Sequence, residues 1–88
     1  MTRKVDYVTE SDIAAMTYEQ LVALDNATDL AGDLADELMD AGVYVVEHHC
    51  NHVILKASEL WTANVVAARF GLTVEHIAAD IHRVVVAL

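Results

Sequence analysis

The sequence predicts a mainly α chain with a small β element. It reads as an α+β single domain in which a long amphipathic N-terminal helix precedes a short hairpin and a C-terminal helix-turn-helix-like unit. Three observations predict it. Apolar residues recur at helical spacing between a capping signal at Thr17 and a stop at Gly42, β-branched residues crowd positions 43–57, and Thr62, Gly71 and Thr73 punctuate two short apolar stretches. With no proline and three glycines the chain has few forced breaks, which favours helix.

Residues 1–16 read as an N-terminal arm, with Val5 and Tyr7 alternating as in an edge strand and Ser11 opening a helical turn through Met16. The long helix is expected from Tyr18 to Ala41, within an acidic amphipathic segment spanning 17–42. Thr17 and Gln20 have capping-box spacing, and Gly42 follows the last periodic residue. Leu21, Leu24, Ala27, Leu30, Ala31, Leu34, Ala35 and Leu38 cover one face, while Asp25, Asp29, Asp33, Asp36, Glu37 and Asp40 occupy the opposite one. The same apolar positions fit a heptad seam, so this helix could pack on its counterpart in a homodimer. Residues 43–57 read as a hairpin turning at His49, Cys50 and Asn51. The competing reading is one long helix, because Val46, Cys50, Val53, Ala57 and Leu60 recur at 3.5-residue spacing. The Val-Tyr-Val-Val start and the missing N-cap after Gly42 favour strands.

The unit from 58 to 88 contains the most specific stretch, TANVVAARFGLTVEHIAADI at 62–81. Thr62 is expected to cap a helix carrying Val66, Ala67 and Phe70. Gly71 supplies a left-handed turn, and Thr73 caps a second helix carrying Ile77 and Ile81. VVAARFGLTVEHIAADI resembles the helix-turn-helix of DeoR-type and related winged-helix bacterial regulators. The resemblance implies a second helix lying in the DNA major groove, with Thr73, Val74, His76, Arg83 and Arg69 approaching the duplex. In that family arginines precede the aspartate matched by Asp80, whereas Ala78 and Ala79 stand here. Only Val84–Leu88 remains for a wing, as a strand added to the hairpin or to a partner chain.

Composition narrows the partner. The formal charge is −9, and no Lys or Arg occurs between Lys4 and Lys56. DNA affinity comes largely from cations that neutralise phosphates, so protein contact is the leading expectation and DNA binding the alternative. A 56% apolar content in 88 residues predicts a self-association surface and a homo-oligomer. No apolar run reaches membrane-spanning length, Cys50 is the only cysteine, and no signal-peptide core is visible, which points to a cytoplasmic protein without membrane partners. The Ala, Val and Asp bias with little Lys is the pattern of high-GC genomes, such as those of actinobacteria and their phages.

Chemistry is sparse. Glu47, His48, His49, Cys50 and His52 crowd six residues, but neither a helix nor a hairpin turns them into four tetrahedral ligands, so they read as an exposed polar turn, with no metal and no cofactor expected. Phosphate loops, nucleophile elbows and dinucleotide fingerprints are missing from the sequence. Asp25, Asp29, Asp33 and Glu37 repeat at i,i+4, a step of about 6 Å that approaches phosphate spacing along a DNA strand. The expectation is a small acidic, non-enzymatic regulatory or inhibitory protein acting by protein–protein contact. A dimeric winged-helix transcription regulator, or an antitoxin, is the alternative.

Overall fold

The computed structural model describes residues 8–88, so the strand expected at Val5 and Tyr7 lies outside the described residues. The elements run α1 (Glu10–Ala14), α2 (Tyr18–Asp40), β1 (Tyr44–His49), β2 (His52–Lys56), α3 (Trp61–Arg69), β3 (Glu75–Ala78) and β4 (Ile81–Val85). All neighbouring strands are antiparallel, in the order β1-β2-β4-β3.

Helix α2 is dictated by its caps and its stripe. The Thr17 hydroxyl accepts from the Gln20 N–H while the Gln20 side chain accepts from the Thr17 N–H, which satisfies two of the free donors at the helix start. At the other end Gly42 takes φ +87, the Val43 N–H donates to Leu38 O and the Gly42 N–H to Met39 O, the two bonds of a Schellman stop. Leu24, Ala27, Ala31, Leu34, Ala35 and Leu38 are buried. They meet Val53, Leu55 and Val84 from the sheet, Val86 just beyond β4, and Ala63, Val66 and Ala67 from α3. Leu34, Leu38 and Leu55 are among the largest fully buried side chains, each worth about 1.5–3 kcal/mol on leaving water. Gly32 makes room for a strand side chain, because a Cβ there would lie 3.3 Å from Cε1 of His48.

The C-terminal half overturns the expected helix-turn-helix. Sheet accounts for 25% of the structure and helix for 46%, which is more sheet than a mainly α chain holds. Helix α3 starts after Leu60, which makes no side-chain cap, so Thr62 lies inside the helix rather than capping it. Gly71 does take the left-handed conformation, φ +71. Beyond it, however, Thr73 caps nothing, and residues 75–85 form the β3–β4 hairpin instead of a second helix. Pairing decides this outcome. Ile81–Val85 match His52–Lys56 residue for residue in β2, which places β4 inside the sheet and leaves its other edge to be satisfied by β3.

The pairing also exposes an internal two-fold relation that the sequence conceals. Both α2 and α3 end in the same glycine stop, since the Leu72 N–H donates to Ala67 O and the Gly71 N–H to Ala68 O. Each is followed by a hairpin with a two-residue loop whose first residue has positive φ, Cys50 at +50 and Ala79 at +46. Cys50 and Ala79 are offset by the interval that separates Gly42 from Gly71. At that offset Ile54 corresponds to Arg83, and these two residues are direct partners at the centre of the β2–β4 ladder. The flanking bonds are exchanged by the same axis, because the Ala57 N–H donates to Asp80 O while the Val86 N–H donates to Asn51 O. The fold is thus two α-β-β units joined through their second strands.

One end of this axis is tied to the N-terminal segment. The fully buried Asn51 side chain accepts from the Val8 N–H at 3.1 Å and donates to Val86 O at 2.8 Å. Asn51→Ala leaves a buried donor and a buried acceptor unanswered, so chemical denaturation should register a loss of about 3 kcal/mol. Ala79 carries the opposite expectation. A left-handed L residue costs roughly 1–2 kcal/mol, and Ala79→Gly should raise stability by about 0.5–1 kcal/mol in the same assay.

Candidate functional site

The solvent face of α2 carries Asp25, Asp29, Asp33, Asp36, Glu37 and Asp40, and every one is exposed. Arg69 approaches Glu37 at 3.7 Å, a surface pair of small energetic weight. No basic residue occupies the last turn of α2. Glu37 and Asp40 therefore sit at the negative end of the helix dipole, where a carboxylate opposes folding by about 0.3–1 kcal/mol. With like charges stacked at i,i+4, this face is assembled against the interests of its own helix.

The residues expected to approach DNA do not lie on a second helix. Thr73 and Val74 precede β3, His76 lies on β3 and Arg83 on β4. The Arg83 Nε donates to Glu75 at 2.6 Å across the hairpin, and His76 Nε2 lies 2.8 Å from Ala79 O. Arg69, on α3, is the residue that meets Glu37. Both arginines face carboxylates of their own chain.

The histidine-rich turn is divided by the sheet. His48 pairs with Val53 and so shares the helix-covered face, lying over Gly32. Glu47, His49 and His52 point to the other face, where His49 and His52 stack edge-on with centroids 5.9 Å apart. His52 is 1% exposed, which corrects the expectation of an exposed turn. Its Nε2 lies 3.8 Å from the Glu47 carboxylate. Burial pushes His52 below its ordinary value, the Glu47 carboxylate opposes that, and His49 and Arg83 add to the fall. Burial, and then the Glu10 carboxylate, pushes the Cys50 thiol up, so little nucleophilic thiolate forms near neutrality. Among the described residues no group of three or more His, Cys, Asp or Glu is placed to hold a metal ion, and no helix is long and apolar enough to cross a membrane.

Sequence reasoning placed Asn51 only in a turn and Asp80 only in a family match, and gave neither a site role. The signal that could have found them is the repeated spacing from Gly42 to Asn51 and from Gly71 to Asp80. On the sheet face away from the helices, Tyr44, Val46, Lys56, Ala57, Asp80 and Ile81 line an open groove of about 720 Å³. Lys56 Nζ approaches the Asp80 carboxylate at 3.9 Å there. No protein-family model, no curated protein and no solved structure matches this chain.

His52 makes stability depend on pH with a definite sign. Unfolded, it takes up a proton near pH 6.5; folded, it does so only at lower pH, so the unfolded chain binds more protons between the two values. Its contribution is complete above about pH 6.5 and is lost as pH falls through that value toward the folded one. Thermal melts between about pH 7.5 and about pH 5.5 should show a His52→Gln variant losing less stability on acidification than the parent. Equal losses would assign the pH dependence to other groups.

Proposed function

We propose that this is a small acidic binding protein, regulatory or inhibitory in action, that presents the solvent face of α2 to a basic surface on a protein partner. The observation that carries this reading is the placement of Glu37 and Asp40 in a last helical turn that has no basic residue, with Asp36 just before it. Charge in that position weakens the helix, and a partner's cations would recover the loss on binding. The regular carboxylate ladder from Asp25 to Glu37 also approaches the spacing of strand phosphates, which favours a partner that ordinarily binds nucleic acid. Exposed Tyr18 and Trp61, 82% and 76% accessible, support self-association as a second mode of contact within the same reading.

Stability and binding are expected to move in opposite directions. Asp33→Asn, Asp36→Asn and Asp40→Asn in combination should raise the melting temperature. The same variant should lose the protein that the parent, immobilised, retains from a native lysate at about 100 mM salt and releases toward about 500 mM. Equal retention by parent and variant, or retention indifferent to salt, would remove α2 as the contact face.

A further inference from the structure

The internal two-fold axis relates a filled site to an open one. The Asn51 end is closed: Asn51 is 0% exposed, His52 1% and Val86 5%, and the buried Val8 donates its N–H to Asn51 Oδ1. By the offset that maps Gly42 onto Gly71, these three residues correspond to Asp80, Ile81 and Ala57. The latter three line the open groove together with Tyr44, Val46 and Lys56, and the Asp80 side chain is 44% exposed.

The two ends differ in one informative way. At the closed end the Asn51 amide uses its oxygen for Val8 and its nitrogen for Val86 O. At the open end the carbonyl equivalent to Val86 O, that of Ala57, is met instead by His82 Nε2 at 3.2 Å. Asp80 therefore needs no donor of its own, and its carboxylate offers acceptors where Asn51 offers its oxygen. Tyr44, 68% exposed, and Val46, 50% exposed, give the same groove an apolar wall.

We infer that the groove at Asp80 is a docking site for an extended peptide segment of a partner protein, held as the chain holds its own residue 8. A backbone N–H donates to the Asp80 carboxylate and a β-branched side chain lies against Tyr44, Val46 and Ile81. The occupant carries basic residues on either side of that position, drawn at long range by the chain's formal charge of −9, while the groove itself holds Lys56 beside Asp80. The site is on the sheet face turned away from α2 and is independent of the acidic helix, so the two surfaces can fail separately.

The probe is acetyl-Lys-Tyr-Val-Thr-Lys-amide, whose centre copies the chain's own Tyr-Val-Thr and whose lysines supply the flanking charge. Titrated into full-length protein and followed by amide chemical shifts, it should move Ala57, Asp80 and Ile81 and leave Asn51 and Val86 in place. Asp80→Ala should weaken binding roughly tenfold, whereas Asp80→Asn, which restores the acceptor used at Asn51, should stay within about threefold of the parent. Proline in place of the central valine removes the donated N–H and should abolish the shifts. The Asn variant also serves if the alanine variant unfolds. Absence of shifts at about 1 mM peptide, tolerance of the proline peptide, or equal weakening by Asp80→Asn and Asp80→Ala would overturn the assignment. Concentration-dependent dimerisation that protects the groove without peptide would also overturn it, in favour of a second copy of the chain.

Discussion

The Asn51 side chain is the junction on which the described structure depends. Its amide binds Val8 on one side and Val86 on the other, while its backbone oxygen accepts a third bond from the Val86 N–H. Three segments remote in sequence, the approach to α1, the β1–β2 loop and the end of β4, therefore meet at one fully buried residue. Few side chains can do this. The position needs an acceptor and a donor on a short, planar group; aspartate lacks the donor, and glutamine adds a rotatable bond whose freedom would be lost on burial. Every group at the junction is out of water, so the cost of an unanswered partner enforces the geometry more strongly than the bonds themselves stabilise it.

Around that junction the chain divides its tasks between two similar units. The second strands of both units form the middle of the sheet and supply Val53, Leu55 and Val84 to the core. The helices are unequal. α2 runs for 23 residues and packs on β1 and β2, whereas α3 has nine and adds Ala63, Val66 and Ala67 to the core. Length gives α2 a second face, and there the acidic residues collect without disturbing the core. Binding charge and folding surface thus share one helix but occupy opposite sides of it.

Local chemistry was legible in the sequence where it was sufficient on its own. The Thr17 and Gln20 capping box, the Gly42 stop and the apolar stripe mark α2 almost to the residue, because these signals act within a few positions of each other. Gly71 was legible as a left-handed turn for the same reason, but the hairpin beyond it was not. Thr73 has the side chain of a helix cap, and Val74, Ile77 and Ile81 have helical spacing. The β3–β4 hairpin prevails because β4 finds a five-residue partner in β2, more than twenty positions earlier. Such pairing outweighs a local preference worth only tenths of a kcal/mol per residue. His52 was misjudged by the same mechanism, since burial at the foot of a sheet depends on what the fold brings over it. The acidic face needed no tertiary information, whereas the Asp80 groove is built from β1, β2 and the β3–β4 loop, which only the fold brings together.

The two-fold relation between the units also bears on how copies of the chain avoid one another. A sheet whose outer strands are equivalent presents the same open ladder on both sides, so an edge contact favourable at β1 would be favourable again at β3, and nothing would close the series. Repeated, that contact builds a filament rather than a dimer. Both outer strands carry an interruption in register, between Val45 and Glu47 and between His76 and Ala78, and β3 is only four residues long. Each irregularity twists the exposed ladder and spoils its match to an identical neighbour. In a chain this rich in β-branched residues, the bulges at Val46 and Ile77 make both open edges poorer templates for fibre growth.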